Sequence, residues 1–370
     1  MVRLAEVIAV NSLCPKALQK DKGIATRRSN LVTWFETLTG CTEHDADHVR
    51  RELSVDGTHL HSGANGKSWH CGTLTTPSLA ELRQAALALP DANRPTTIRE
   101  VVADIQALHC DRSNAGAMFQ VASQFNLLEM IAPDVTPERG IGIYERDPTQ
   151  GPACAIACGA GTIYRNYFAP LPGQTGQTAN QQIDCLADLG QRLGNAEGKL
   201  WEMTNGYALP SMSGLTAVDN HLQTSEAVEL DNLRGLLRIG LQVDTEVTLS
   251  GAGHNVSQAF CSACPVAYSE HPPETWQRLA SLVLDAAYEA TLCAAMTNAR
   301  RTSNHQLYLT LLGGGAFGNP TAWITNAIQR AVALHPDCGL DIAIVSYRNS
   351  KPAVAACVQS IQALLRDRTQ

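Results

Sequence analysis

Charged and aromatic residues are scarce in this chain of 370 residues, at 17% and 5% of the sequence. So low a charge content is not typical of disordered proteins or of coiled coils. The net charge is −7, from 28 Lys and Arg against 35 Asp and Glu, and the basic residues form no long run. Because this is not the electrostatic signature of nucleic-acid binding, we expect no nucleic-acid partner.

Long apolar runs are missing too. No stretch approaches the ~18 uninterrupted apolar residues of a membrane span, and residues 1–11 are too short and too interrupted for a signal peptide. Hydrophobic residues nevertheless make up 44% of the chain, enough for a sizeable core. The twelve cysteines fall in apolar segments such as 153–158, which indicates reduced, buried thiols. We predict a cytoplasmic monomer with no membrane partner.

Two regions differ in their pattern, and we place a domain boundary between them. Residues 1–110 are predicted to be a mainly helical extension, and residues 111–370 the principal domain. Three segments of the extension have the apolar spacing of helices: 31–38, 79–89 and 97–108. Thr97 and Glu100 are spaced as a capping box for the last of these helices.

Apolar strands and amphipathic helices alternate over the C-terminal third. The pattern predicts strands at 259–268, 306–312 and 340–347 and helices at 272–298 and 320–334. Nearly continuous apolar strands are typical of a sheet that is covered by helices on both faces. The sequence therefore predicts an α/β fold with a mixed, mostly parallel sheet. Such sheets bind ligands beyond the carboxyl ends of their strands.

Residues 313–320, Gly-Gly-Gly-Ala-Phe-Gly-Asn-Pro, lie between one of these strands and a helix. Glycines let the backbone approach a ligand closely. Asn319 is predicted to be the N-cap of the helix and Pro320 its first residue. The free N–H groups and partial positive charge of a helix N-terminus bind anions without a cationic side chain. The segment therefore predicts a loop that binds a phosphate-bearing nucleotide.

Two known nucleotide motifs do not fit this loop. A P-loop requires Gly-Lys-Ser/Thr, whereas Asn319 and Pro320 follow Gly318 here. Gly313, Gly315 and Gly318 match the dinucleotide fingerprint, but too little chain follows for a Rossmann domain. A glycine turn that only permits close packing of a helix on a strand stays open as an alternative.

Residues 309–320 resemble the second phosphate loop of macrodomains, especially of the microbial poly(ADP-ribose) glycohydrolase-like branch. Residues 119–126 resemble the macrodomain strand that ends in an Asn near the distal ribose, and residues 151–167 resemble the first, catalytic loop. The combination is most similar to the MavL-type bacterial effector ADP-ribosyl hydrolases. The resemblance implies removal of ADP-ribose from a modified arginine, with ubiquitin as a possible target. We expect neither a metal nor a cofactor. If the chain is a secreted effector, we expect it to be located in the host cytosol.

The resemblance also implies an ADP-ribose site. The residues that it assigns to ligand contacts are Gln124, Asn126, Glu129, Gly159, Gly161, Thr162, Tyr164, Arg165, Asn166, Gly313, Gly314, Gly315, Ala316, Phe317, Gly318 and Asn319. Gln124 and Asn126 would bond ribose hydroxyls, although an Asn that forms a turn after a strand would also explain Asn126. The Gly-Gly-Gly and Gln-Glu-Glu sequence of the glycohydrolases is missing, so their catalytic acids cannot be carried over.

Cleavage of a ribosyl C1″ bond passes through an oxocarbenium-like state and requires a carboxylate. In the extended segment 239–247, alternation would place Asp244 and Glu246 on one face, where paired carboxylates can hold one raised pKa. Asp231 is a further candidate, with a charge on a helix surface as its alternative. Glu289, in an apolar helix, would be functional or paired if it is buried.

Cysteine and histidine groups suggest rival chemistries. Cys261 and Cys264 match Cys-x-x-Cys, but their position in a predicted strand favours two buried thiols. An irregularly spaced N-terminal group could form a zinc site: Cys41, His44, His48, His59, His61, His70 and Cys71. The alternatives to a hydrolase are therefore a non-catalytic ADP-ribose-binding module and a zinc or thiol enzyme.

Overall fold

Helices and strands alternate along the chain, and the computed structural model describes residues 32–90, 92 and 94–367. The helices are α1 Trp34–Thr39, α2 Ala46–Glu52, α3 Leu79–Leu87, α4 Ile105–Cys110, α5 Gln150–Ala157, α6 Gly159–Tyr167, α7 Ala187–Leu193, α8 Met212–Thr224, α9 Ala227–Gly235, α10 Pro273–Thr302, α11 Thr321–Leu334 and α12 Pro352–Asp367. The strands are β1 Leu53–Asp56, β2 His59–Ser62, β3 Ser68–His70, β4 Thr73–Thr75, β5 Thr97–Val102, β6 Met118–Ala122, β7 Pro170–Leu171, β8 Gln174–Thr175, β9 Trp201–Thr204, β10 Tyr207–Pro210, β11 Gly240–Glu246, β12 Asn255–Cys261, β13 Gln306–Leu309 and β14 Asp341–Ser346.

A seven-stranded sheet organises the fold, in the order β4-β11-β12-β6-β13-β14-β5. The five strands from β12 to β5 are parallel, whereas β11 and β4 are antiparallel to their neighbours. The prediction of a mixed, mostly parallel sheet in an α/β fold is confirmed. The carboxyl ends of β12, β6 and β13 therefore meet at one edge, which the loops after these strands surround.

Helices cover both faces of the sheet. Helices α10, α11 and α12 pack together on one side, and α4, α5 and α6 pack on the other. Strand β6 contacts helices on both faces of the sheet: Phe119 stacks on His109 of α4, and Gln120 donates to Thr291 of α10. Helix α10 is apolar and long enough to cross a membrane, but 83% of its apolar window is buried inside the fold. Burial on this scale is also expected of a core helix.

The predicted helical extension is wrong in its boundary and in part of its structure. Strands β4 and β5 form the two edges of the central sheet, so residues before 110 belong to the α/β core. Residues Thr33–Gln370 form one compact unit. The segment predicted as the helix 97–108 is β5 followed by α4, because Asp104, and not Thr97, caps the helix. Residues 1–11, and the first residue of the predicted helix 31–38, lie outside the described residues.

The rest of the N-terminal region packs on the loops that lead to the carboxyl edge. Helices α1 and α2 and the antiparallel sheet β1-β2-β3 share a second apolar cluster with α5 and α6. Phe35 of α1 and Leu60 of β2 are buried there with Tyr144 and Tyr167. This cluster fixes the segment around Tyr144, which leads directly to the cavity described next.

Candidate active site

A cavity of about 360 Å³ lies at the carboxyl ends of β12, β6 and β13. Its walls are residues 122–124, 129–131, 146–152, 207, 263, 268, 310–313 and 315–317. The volume is within the range of about 300–1,000 Å³ that is usual for small-molecule sites. The structure thus brings the predicted glycine loop and the end of the predicted Asn-bearing strand to one cavity.

The glycine loop forms one wall. Gly313 and Gly318 have φ of 71° and 70°, and a Cβ at Gly313 would lie 2.5 Å from that of Ala263. Both positions therefore require glycine. The N–H groups of Gly315, Ala316 and Phe317 donate to no acceptor among the residues that the structure describes. Consecutive free N–H groups beside a cavity form an anion-binding concavity.

Gly314, Asn319 and Pro320 have roles other than those predicted. Gly314 is not in the cavity wall, and a Cβ there would meet Ile324 at 3.0 Å. Helix α11 begins at Thr321, and Pro320 occupies the N-cap position. The predicted N-cap, Asn319, is buried and instead donates its side-chain amide to the Cys264 carbonyl at 2.8 Å. It ties the glycine loop to the chain that follows β12.

The first turn of α5 forms a second part of the cavity wall. The side chain of Gln150 accepts from Ala122 N at 2.9 Å and donates to Gln120 O at 2.8 Å, which fixes the helix end to β6. A Cβ on Gly151 would lie 2.1 Å from Ala122 O, so only glycine permits this approach. In the described chain, the N–H groups of Gln150 and Gly151 have no acceptor. The helix N-terminus therefore adds a second partial positive charge to the cavity.

Two acidic residues, Glu129 and Asp147, also lie in the cavity wall. Glu129 is 3% exposed, and burial raises its pKa to about 8. Neither of its carboxylate oxygens has a hydrogen-bond partner among the residues described. Asp147 is half-buried and accepts from Thr149 N at 2.9 Å. One carboxyl group is thus held in a dry environment and the other in a wetter one, an arrangement that can separate acid and base roles.

Aromatic rings form the remaining wall. The ring centroids of Tyr207 and Tyr268 are 5.1 Å apart, and Phe317 lies 5.3 and 5.6 Å from them. The Tyr207 hydroxyl donates to Met130 O at 2.7 Å, so this wall is fixed to the segment that carries Glu129. Such a surface can pack against a sugar or a purine ring.

Gln124 and Asn126 differ in their access to the cavity. Gln124 lines it, although its amide is already bonded to the backbone of Met130. Asn126 is fully buried outside the lining, where it donates to Gln182 at 2.8 Å and accepts from Leu128 N at 3.0 Å. The structure favours the turn-forming alternative for Asn126, because both polar ends of its side chain bond within the protein.

Residues 151–167, predicted to be the first, catalytic loop, instead form most of α5 and the whole of α6, and among them Gly151 and Pro152 alone line the cavity. A Cβ on Gly159 would meet Leu38 at 2.7 Å, and one on Gly161 would meet Thr245 at 2.6 Å. The two glycines therefore let the helix pack closely on α1 and β11. The other residues assigned to this loop, Thr162, Tyr164, Arg165 and Asn166, also lie outside the cavity wall.

The predicted catalytic acids lie elsewhere too. Asp244, at φ 59°, occupies a β-bulge that breaks the predicted alternation, and it pairs with Arg301. Glu246 accepts from His70 N at 3.0 Å. Both are near the amino end of β12, across the sheet from the cavity. Asp231 pairs with Arg83 on outer helices.

Several cavity residues were not predicted from the sequence: Arg146, Asp147, Gln150, Tyr207 and Tyr268. The one local signal was Asp147-Pro148-Thr149, typical of a turn that begins a helix. As for the rival chemistries, Cys261 and Cys264 are buried thiols. Within the described ranges, no group of three or more His, Cys, Asp or Glu residues could hold a metal ion.

Comparison with known proteins finds only distant structural similarity. No protein-family model and no curated protein matches the chain. It is similar to poly(ADP-ribose) glycohydrolase from Deinococcus radiodurans in complex with ADP-ribose, at 14% identity over 79% of this chain and 94% of that chain, with a TM-score of 0.44. The glycohydrolase from Thermomonospora curvata is 13% identical over 86% of this chain and 96% of that chain, with a TM-score of 0.37. At TM-scores this low, function must be inferred from this chain's own residues.

Proposed function

We propose that this protein is an ADP-ribosyl hydrolase, which binds ADP-ribose in the cavity and releases it from a modified protein. The observation that carries the proposal is the presence of two backbone anion sites, the glycine loop and the first turn of α5, in the wall of one cavity that also contains two carboxylates. Two sites in one cavity suit a diphosphate better than a single phosphate, since each can bind one phosphoryl group.

The rest of the cavity suits the groups that flank a diphosphate in ADP-ribose. The aromatic wall of Tyr207, Tyr268 and Phe317 offers a surface for a ribose or the adenine. A strongly basic pocket is not required, because free N–H groups and helix termini supply the positive potential.

The carboxylates supply the chemistry that glycosidic hydrolysis needs. Glu129, whose raised pKa keeps it mostly protonated near neutral pH, would donate a proton to the leaving group. Asp147, which is half-buried beside the α5 N-terminus, would orient and deprotonate the attacking water. A proton donor needs the dry environment in which Glu129 lies, and a base that activates water needs the wetter environment of Asp147.

Turnover of a mono-ADP-ribosylated protein tests this proposal. We expect Glu129→Gln and Asp147→Asn each to lower kcat by about 10²-fold or more, while ADP-ribose still stabilises both variants in a thermal-shift assay. Asp134→Asn, at an exposed aspartate outside the cavity wall, is the matched control and should keep wild-type turnover. Binding without turnover by the wild type would instead identify a non-catalytic ADP-ribose-binding module. Stabilisation by NAD but not by ADP-ribose would contradict the assignment of ADP-ribose as the ligand.

We further propose arginine-linked ADP-ribose as the substrate, with ubiquitin as one candidate carrier. The support is chemical: the guanidinium group of such a substrate can pair with a carboxylate, and the cavity wall contains that of Asp147. Parallel assays of arginine-, glutamate- and serine-linked ADP-ribose decide this point. Equal or faster release from the other two linkages would refute it without affecting the hydrolase proposal.

A further inference from the structure

Arg165 lies fully buried beneath the cavity, next to the carboxylate of Glu129. It reaches this position from α6, and its Nη2 atom is 3.6 Å from Glu129 Oε1. Its Nε donates to Leu127 O at 3.1 Å, and Nη2 donates to Thr162 Oγ1 at 3.1 Å. The guanidinium carbon lies 3.7 Å from the centroid of the Phe260 ring. Three contacts therefore hold the cation still.

This pair does not have the geometry of an ion pair that serves stability. At 3.6 Å the two groups are near each other but do not form the bidentate hydrogen bonds usual between Arg and a carboxylate. Among the described residues, Arg165 Nη1 and both Glu129 oxygens have no hydrogen-bond partner. Buried polar atoms are nearly always bonded, and an unbonded set often marks a functional site. Here the unbonded oxygens belong to a residue of the cavity wall.

We propose that Arg165 is a positioning residue, which holds the carboxyl group of Glu129 at the cavity wall and stabilises the carboxylate left after proton transfer. The inference rests on the proposed function. As the C1″ bond to the modified side chain breaks, its electron pair stays with the leaving atom, which takes the proton of Glu129. A water oxygen bonds to C1″ and gives its proton to Asp147. Proton exchange with solvent then returns both acids to their starting states.

The charges around Glu129 determine how its titration should respond. Tyr144 and Asp147 face it from the segment before α5, Cys154 from α5, and Arg165 from α6. Burial raises the pKa of Glu129, and the positive charge of Arg165 is the main opposing influence. Removal of that charge should therefore raise the pKa further and make Glu129 a weaker proton donor.

The pH dependence of kcat for Arg165→Met and Arg165→Lys tests the proposal on the full chain. The rate should fall at high pH as Glu129 loses its proton, and this alkaline limb should move to higher pH in Arg165→Met. Arg165→Lys should move it less, because the lysine still places a positive charge beside Glu129, although a buried lysine holds that charge less firmly than arginine. We expect kcat to fall by about 10-fold or more in Arg165→Met, with ADP-ribose affinity within about threefold of wild type.

If Arg165→Met does not fold, the shift in Arg165→Lys is the test. An unmoved alkaline limb in the folded variants would overturn the inference, because a merely structural arginine would change yield and not this limb.

A second measurement separates this inference from the proposed function. Carboxyl ¹³C chemical shifts of glutamate-labelled protein report the Glu129 titration directly, with Glu129→Gln identifying the signal. A wild type that binds ADP-ribose without turning over substrate refutes the hydrolase, whatever the titration. A wild type that turns over substrate, but whose Glu129 titration is the same in Arg165→Met, refutes the role of Arg165 alone.

Discussion

At the scale of single residues, Gly315 offers the sharpest test of the phosphate loop. A Cβ at this position meets no atom within 4 Å, and its φ is not in the left-handed region, so a side chain is compatible with the fold. Gly315→Glu would place a carboxylate where a phosphoryl group binds. Juxtaposed like charges cost several kcal/mol, and ~1.4 kcal/mol is tenfold in affinity. We expect ADP-ribose to bind about 100-fold more weakly, measured by calorimetry.

Gly315→Ala is the control for this variant, since it adds the Cβ without the charge. It should bind ADP-ribose nearly as well as the wild type. Undiminished affinity in Gly315→Glu would mean that the loop is only a packing turn.

The buried Glu129 also predicts a pH dependence of stability. Its pKa is raised from 4.5 to about 8 in the folded protein, so the folded state binds the proton more tightly than the unfolded state. Its stabilising contribution is therefore complete below about pH 4.5 and is lost as the pH rises towards 8. Relative to wild type, Glu129→Gln should gain stability across this range by up to ~1.4 kcal/mol per pH unit. Urea unfolding at pH 5, 6.5 and 8 measures this difference, and a constant difference would contradict the predicted shift.

The acids also show what sequence alone could and could not reveal. Glu129 was assigned to the ADP-ribose site because the strand before it ends in a recognisable segment. Its role as an acid was not predicted. Asp244 and Glu246 were misassigned because simple alternation cannot anticipate the bulge at residue 244. Asp147 was missed because the segment before it is fixed by contacts with α1 and Glu43, which are distant in sequence.

At the scale of elements, the local sequence pattern was enough to predict a helix or a strand wherever the apolar residues of the pattern are buried in the fold. The succession β12, α10, β13, glycine loop, α11 and β14 was predicted from apolar runs and one glycine-rich turn, and it is confirmed. Helix α6 was misread as a loop because Gly159 and Gly161 suggested a turn. Their actual reason is contact with α1 and β11, which depends on residues distant in sequence. Strand β4 was missed because it has only three residues. Strand β5 was missed because residues 97–108, which contain β5 and most of α4, together have the apolar spacing of a single helix.

The contact between the N-terminal elements and the cavity segment makes a prediction at the same scale. The half-buried carboxylate of Glu43 accepts from Ile141 N at 2.8 Å, Gly142 N at 2.7 Å and Tyr167 OH at 2.6 Å. These bonds fix the short helical segment 142–146 that precedes Asp147. Glu43→Ala leaves two N–H groups without their acceptor, which should cost ~2–4 kcal/mol of stability. We expect kcat to fall as Asp147 loses its position.

Stability and kcat are measured by urea unfolding and by turnover at a temperature where the variant is folded. Asp56→Ala, at an exposed acid in the same N-terminal region, should change neither. A destabilised variant with wild-type kcat would show that the contact supports the fold without positioning Asp147.

At the scale of the whole molecule, one cluster of charges joins four helices on the side of the sheet covered by α10. Glu289 of α10 is 2% exposed and bonds with Arg83 of α3 and Arg330 of α11, and Asp231 of α9 pairs with the same two arginines. The cluster explains why a glutamate occurs in an apolar helix: it is paired. A hydrogen bond from His335, together with the two arginines, holds the pKa of Glu289 well below its usual range, despite burial.

Removal of this buried charge should therefore weaken the entire fold. Glu289→Gln leaves two arginines partly buried without their main counter-charge, and such breaks cost ~3–5 kcal/mol. Because the pKa of Glu289 is lowered on folding, its contribution is present above the unfolded value of 4.5 and is lost as the pH falls below it. The deficit in the free energy of unfolding of Glu289→Gln relative to wild type should thus be largest near neutral pH and shrink in acid.

Asp231→Asn is the matched control, because Asp231 touches the same arginines from a half-exposed position, and its loss should cost less than ~1 kcal/mol. Equal losses in the two variants, measured by urea unfolding at pH 7, would mean that burial does not set the strength of this cluster.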